Sequence, residues 1–121
     1  GQALAQAAGD KRGLRRYGVG MAPMDEALVM VALDLSGRPG LEWRVELAAA
    51  KVGEFDAELA REFFQAVANN AGLTVHFHQF SGRNTHHVLE SAFKSFGRAL
   101  DEALRLDPRL GDTIPSTKGT L

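Results

Sequence analysis

The sequence predicts an α+β layer fold, a small β-sheet covered on one face by two helices, and three patterns carry that expectation. Residues 27–35 form an apolar, β-branched-rich run. Residues 73–80 alternate, with Leu73, Val75 and Phe77 on one face and Thr74, His76, His78 and Phe80 on the other. Two longer stretches, 56–71 and about 20 residues starting at 84 or 85, repeat apolar residues at helical spacing.

Taken in order, GQALAQAAGDKRG begins in the middle of a helical pattern, with Leu4, Ala7 and Ala8 apolar, and stops at Gly9-Asp10. The run at 27–35 lies between Pro23 and Ser36-Gly37-Arg38-Pro39-Gly40, so it reads as a strand, a turn and a second strand over 41–47. That pair is expected to form a β-hairpin with a slightly long loop. In EFDAELAREFFQAVANNAG the apolar positions 59, 63, 66, 67 and 71 mark a helix over 56–71, with Asp56 as N-cap and Gly72 as stop. A strand over 73–80 follows. From Asn84 or Thr85, the residues Val88, Leu89, Ala92, Phe93, Phe96, Ala99, Leu100, Ala103 and Leu104 mark a helix that ends before Pro108. The tail GDTIPSTKGTL is turn-rich and expected to be irregular. The predicted order is β-β-α-β-α, which suits one sheet with two helices on it.

At 121 residues the chain holds one domain at most. Its 14 Lys and Arg against 15 Asp and Glu give a formal net charge of −1, so nothing points to nucleic acid or an anionic membrane surface. Any basic site must be local. With no cysteine, a protein-bound metal must use His nitrogen and carboxylate oxygen. No apolar run reaches the roughly 18 residues of a membrane span and no secretory signal opens the chain, so the expectation is a soluble cytoplasmic protein. The first residue is not Met and the opening helix starts in mid-pattern, which reads as an N-terminal truncation.

The most specific motif is SGRNTHHVLESAFK, residues 81–94. Consecutive helical residues point about 100° apart, so His86 and His87 are expected to serve two different metal centres, with Glu90 one turn from each. The spacing HHxxE differs from HExxH, whose histidines share a face and one ion. Mn²⁺, Fe²⁺ and Zn²⁺ all suit imidazole with carboxylate. The competing reading is an ordinary helix start that the histidines cap. Glu62, beside the apolar stripe of the 56–71 helix, is a candidate further ligand that would be partly buried, or a plain edge residue. His76 is a candidate ligand or a satisfied imidazole, and His78 has no evident partner. Residues 86, 90 and 94 advance by four, which sets Lys94 beside the metal ligands. Arg15 and Arg16, Arg38, Ser116 and Lys118 are the groups a phosphate monoester needs. Asp25 and Glu26 lie where the first strand begins, either to contact a substrate hydroxyl or to cap. Trp43, Phe63 and Phe64 read as core.

The ordered motifs RYG, PMDEAL, LDLSGRP, EFF, NTHHVLESAFKSFGRAL and IPSTKG resemble the C-terminal half of imidazoleglycerol-phosphate dehydratase over essentially the whole chain. The resemblance implies a fold of two similar halves, of which residues 1–121 are the second and the N-terminal half is absent. It implies a homo-oligomeric shell of 24 subunits with two Mn²⁺ ions per site at subunit contacts, one HHxxE coming from each half. Carried over, His86, His87 and Glu90 are metal ligands, and Glu62 stands where the family often has a histidine ligand. Arg16, Arg38, Ser116 and Lys118 match phosphate contacts, while Asp25 and Lys94 match positions near the glycerol hydroxyls. The implied reaction is dehydration of imidazole glycerol phosphate to imidazole acetol phosphate in histidine biosynthesis, with metal ligation of the substrate's ring and Glu90, or a glutamate of the other half, as proton shuttle. Without the other half, activity is expected to be reduced or absent. The alternatives are a non-catalytic assembly fragment and a metal-dependent phosphatase.

Overall fold

Alternation sorts the central strands into two faces, and the computed structural model, which describes residues 1–121, shows what covers each. The elements are α1 (Gln2–Ala8), β1 (Tyr17–Met21), β2 (Leu28–Asp34), β3 (Gly40–Arg44), β4 (Lys51–Val52), β5 (Phe55–Asp56), α2 (Glu58–Ala71), β6 (Thr74–Ser81) and α3 (Thr85–Leu104). Val29, Val31 and Leu33 of β2 and Val75 and Phe77 of β6 are buried on one face, beneath α2 and α3. Phe64 of α2 sits at the centre of this layer, its ring 4.4 Å from Phe77 and 5.1 Å from Phe96 of α3. The opposite face keeps Tyr17, Val19, Met21, His76, His78 and Phe80 exposed. The α+β class with two helices on one face of a sheet is therefore what the chain adopts.

The strand order is β1-β2-β6-β3, with β1–β2 and β2–β6 antiparallel and β3–β6 parallel. The expected hairpin between β2 and β3 does not form, because β6 lies between them. Its loop is bonded elsewhere: Ser36 Oγ accepts from the Arg38 N–H at 3.1 Å, and the Gly40 N–H donates to the Leu73 carbonyl at 3.1 Å. The turn residues thus dock β3 onto the start of β6. Period-two patterning decides which face a side chain takes and leaves open which strand lies alongside.

Strand β1 went unpredicted, since its inward positions are Gly18 and Gly20 and offer no apolar signal. A Cβ at Gly18 would stand 1.9 Å from the Ala99 carbonyl oxygen, and one at Gly20 1.9 Å from that of Ser95. Only glycine lets α3 lie this close to the strand. The short β4–β5 pair also went unpredicted. Asp56 belongs to β5, where its carboxylate pairs with Lys51 at 3.4 Å, and α2 starts two residues later without a side-chain cap. Gly72 does end α2 in the left-handed conformation, and Asn84 does cap α3, accepting the His87 N–H.

Beyond the last β1–β2 pair, Met21 with Met30, the strands part and α3 bridges the gap. Ser95 Oγ accepts the Ala22 N–H and donates to the Val29 carbonyl, while Ser91 Oγ accepts the Val29 N–H and donates to the Ala22 carbonyl, all at 2.7–2.9 Å. Two buried hydroxyls thereby replace one rung of the ladder. They also fix the base of the turn that carries Asp25 and Glu26.

Candidate metal centre and cation cluster

The turn between β1 and β2 closes through a pair of backbone bonds between Met24 and Ala27, with Asp25 in the left-handed region at φ 47°. Aspartate is among the residues that tolerate this conformation best. The turn faces the start of α3. One oxygen of Glu26 accepts the N–H groups of Arg83 and Asn84 at 3.0 and 2.8 Å, and the other lies 2.8 Å from His87 Nδ1. These bonds, the Asn84 N–H foremost, push the Glu26 carboxyl down to about 2. The hydrogen bond to Glu26 in turn raises the His87 imidazole above its ordinary value. The other nitrogen of that ring, Nε2, stands 3.5 Å from Asp25 Oδ2.

His86 points elsewhere. Its Nε2 lies 3.2 Å from Glu90 Oε2, and Glu90 Oε1 meets Lys94 Nζ at 2.6 Å. The Lys94 hydrogen bond is the main reason the Glu90 carboxyl lies below its usual range. The two imidazole centroids are 6.1 Å apart with their planes at 67°. Each ring has its own carboxylate partner. Glu90, one turn along from both histidines, bonds to His86, while the neighbouring position turns His87 towards β2 and its preceding loop. Lys94 stands beside Glu90 as the four-residue stripe predicts.

Nitrogen and carboxylate oxygen are the right donors for a hard or borderline divalent ion, and the residues present fit such an ion as part of a shell. Nowhere in the chain do three or more His, Asp or Glu converge on one point. Glu62 is not brought to the histidines. It lies on the exposed side of α2, paired with Arg61 at 3.2 Å and with its side chain 66% exposed, so the expected partial burial is also corrected. The helix carries its apolar stripe towards Phe64 and leaves position 62 facing outwards. His76 and His78 are exposed on the open face of the sheet, away from α3.

A second group gathers at the far end of β2. Arg16, at φ 74°, grips Asp34 with Nε and Nη2 at 2.7 and 3.1 Å and donates from Nη1 to the Pro115 carbonyl at 2.8 Å. Lys11 lies close to Asp34, Arg16 and Arg38, and burial chiefly lowers its proton affinity. Ser116 Oγ accepts the Lys118 N–H at 3.2 Å, next to the Pro115 carbonyl that Arg16 holds. Arg38 is exposed in the loop tied to Ser36, with Nη1 3.3 Å from the Ser36 carbonyl. Arg16, Arg38 and the Ser116–Lys118 segment are therefore brought to one end of the sheet, together with Lys11, which the sequence reading missed. Glu26 was singled out only as a cap or hydroxyl contact, and its bond to His87 spans 61 positions. The cation cluster and the histidines sit at opposite ends of β2, a strand of 7 residues, and so roughly 20 Å apart at about 3.3 Å per residue.

Several known proteins are similar to this chain. A model of the family described as imidazoleglycerol-phosphate dehydratase (IGPD) matches residues 1–100. The imidazoleglycerol-phosphate dehydratases of Jannaschia sp. (strain CCS1) and Ruegeria pomeroyi are 61% and 60% identical over all 121 residues, which amount to 62% of each relative's length. The crystal structure of imidazoleglycerol-phosphate dehydratase from Staphylococcus aureus superposes with a TM-score of 0.85 at 48% identity, over 88% of this chain and 62% of that one. That of IGPD from Pyrococcus furiosus, in complex with (S)-C348, superposes with a TM-score of 0.86 at 37% identity, over 99% of this chain and 64% of that one. The chain thus spans less than two thirds of the relatives it matches, while all 121 of its residues align with the two bacterial sequences. With these identities, folds and motifs, the chain belongs to the imidazoleglycerol-phosphate dehydratase family.

Proposed function

We propose that this chain supplies part of the active site for the dehydration of imidazole glycerol phosphate to imidazole acetol phosphate, a step of histidine biosynthesis. The observation that carries the reading is the divergence of His86 and His87, each with its own carboxylate, in a chain of this family. Two divalent cations, Mn²⁺ foremost, would be held by His86 with Glu90 and by His87, with Glu62 completing a shell from another copy of the chain. Bound there, such ions act as Lewis acids that let the substrate's imidazole ring accept charge.

The chain's own groups do the rest. Glu90, kept ionised by Lys94, takes up the carbon-bound proton and returns it as the adjacent hydroxyl leaves as water; the enol formed then tautomerises to the ketone. Lys94 and Asp25 orient the glycerol hydroxyls. Arg16, Arg38, Ser116 and Lys118 bind the phosphate, whose oxygens suit a guanidinium fork and free backbone amides. A substrate of this size cannot reach both ends of β2 in one chain. The reading therefore requires a composite site, in which the histidines of one copy face the cations of another, and the part of the relatives' length that this chain does not match supplies the remaining ligands.

Metal analysis and an assay with Mn²⁺ on imidazole glycerol phosphate test this. Bound manganese with turnover supports it, and assembled protein without metal rejects the ligand assignment. The second reading, a non-catalytic assembly fragment, draws on the exposed apolar side chains Phe55, Leu59, Phe63 and Phe93 around α2 and α3. Turnover that needs an added N-terminal half fits the composite site, no turnover even then favours the assembly fragment, and release of inorganic phosphate would reveal a phosphatase.

A further inference from the structure

We propose that Glu26 is a positioning residue that holds the His87 imidazole in its Nδ1–H tautomer, leaving the Nε2 lone pair free for a divalent cation. The inference rests on the reading of His87 as a metal ligand. An ionised carboxylate only accepts hydrogen bonds, so the proton between Glu26 and His87 belongs to Nδ1. Glu26 is itself held from three directions. Its other oxygen takes the Arg83 and Asn84 N–H groups, which ties the ring to the entry of α3. The turn that carries it is closed by the Met24–Ala27 bonds and anchored below by Ser91 and Ser95. Ring, turn and helix start are thus tied together, and Nε2, 3.5 Å from Asp25 Oδ2, is the ring nitrogen left to meet a cation. Outer-shell carboxylates of this kind set both tautomer and ring orientation in metal sites.

The substitution Glu26→Gln isolates the effect. Its amide oxygen still accepts the Arg83 and Asn84 N–H groups, which leaves the NH₂ facing Nδ1; the flipped amide would set donor against two donors. Nδ1 must then accept, and the proton moves to Nε2. The chain has four histidines, so ¹⁵N-histidine labelling and solid-state NMR of the metal-free protein, at about pH 9 and well above the ordinary imidazole range, resolves the tautomer. The expected result is Nδ1–H on His87 in the wild type and Nε2–H in Glu26→Gln, with calorimetric Mn²⁺ affinity down roughly 10- to 100-fold. A wild-type ring protonated at Nε2, or a Glu26→Gln variant with unchanged tautomer or unchanged Mn²⁺ affinity, overturns the proposal even when His87→Asn weakens Mn²⁺ binding. Unchanged Mn²⁺ affinity in His87→Asn instead overturns the ligand reading beneath it.

Discussion

At positions 86 and 87 a single peptide step decides which carboxylate each imidazole meets. His86 turns to Glu90 on its own helix, and His87 turns to the loop before β2. If His87 is a ligand, His87→Ala should lose roughly 10-fold or more in metal affinity, as even outer-shell partners are worth that much; metal content equal to wild type after dialysis would refute it. Lys118→Ala, at the other end of β2, should raise KM for the phosphate substrate while leaving metal content alone. A pH prediction follows from Glu26, whose carboxyl is depressed from 4.5 to about 2. A depressed carboxyl contributes stability fully present above its unfolded value and lost as pH falls through its folded one. The thermal midpoint advantage of wild type over Glu26→Ala should hold down to about pH 5 and close towards about pH 2. An advantage that persists in strong acid would show that the carboxylate bonds are not its source. Of these residues, the sequence exposes those related by helical spacing, 86, 90 and 94. Glu26 stays hidden because 61 positions separate it from the ring it holds.

The elements are held in place where side chains are smallest. Gly18 and Gly20 admit α3 onto β1, and Gly20→Ala would drive a Cβ to 1.9 Å from the Ser95 carbonyl oxygen. Relief needs a backbone shift of strand or helix, so a loss of about 3 kcal/mol is expected, at the upper end of overpacking, read from the midpoint of urea unfolding. Ser95→Ala removes the partner of the Ala22 N–H and of the Val29 carbonyl together. Each buried orphan costs about 1–3 kcal/mol, so this change of one oxygen should rival a large core truncation. A loss below that of an ordinary surface change would mean water or a ladder bond replaces the hydroxyl. The same smallness explains what the pattern reading missed, because glycines and serines carry no hydrophobic period. The helices were legible almost to the residue at Gly72 and Asn84, where a cap or a left-handed turn leaves a local mark.

For the whole molecule, the consequence lies in the separation between the cation cluster and the histidine pair at the two ends of β2. A phosphate-bearing substrate that needs both must draw them from different copies. Native mass spectrometry should therefore find a species heavier than the single 13.1 kDa chain, and a protein that stays monomeric while turning over substrate would dispose of the composite site. Phe64 anchors the layer beneath, touching Phe77, Phe93 and Phe96. Its truncation to Ala should cost about 3–5 kcal/mol by denaturant titration, with both site ends weakened together.

Residues read within a few positions of one another were enough to establish the layer class, the two helices, the buried face of β6 and the HHxxE stripe. Helical and strand periods are local, and so are caps. The neighbours of each strand, the glycine strand under α3, the outward turn of Glu62, the grip of Glu26 on His87 and the place of Lys11 among the cations were decided only in three dimensions. A pleated strand offers the same backbone bonds to any partner, and contacts between residues tens of positions apart leave no period in the chain.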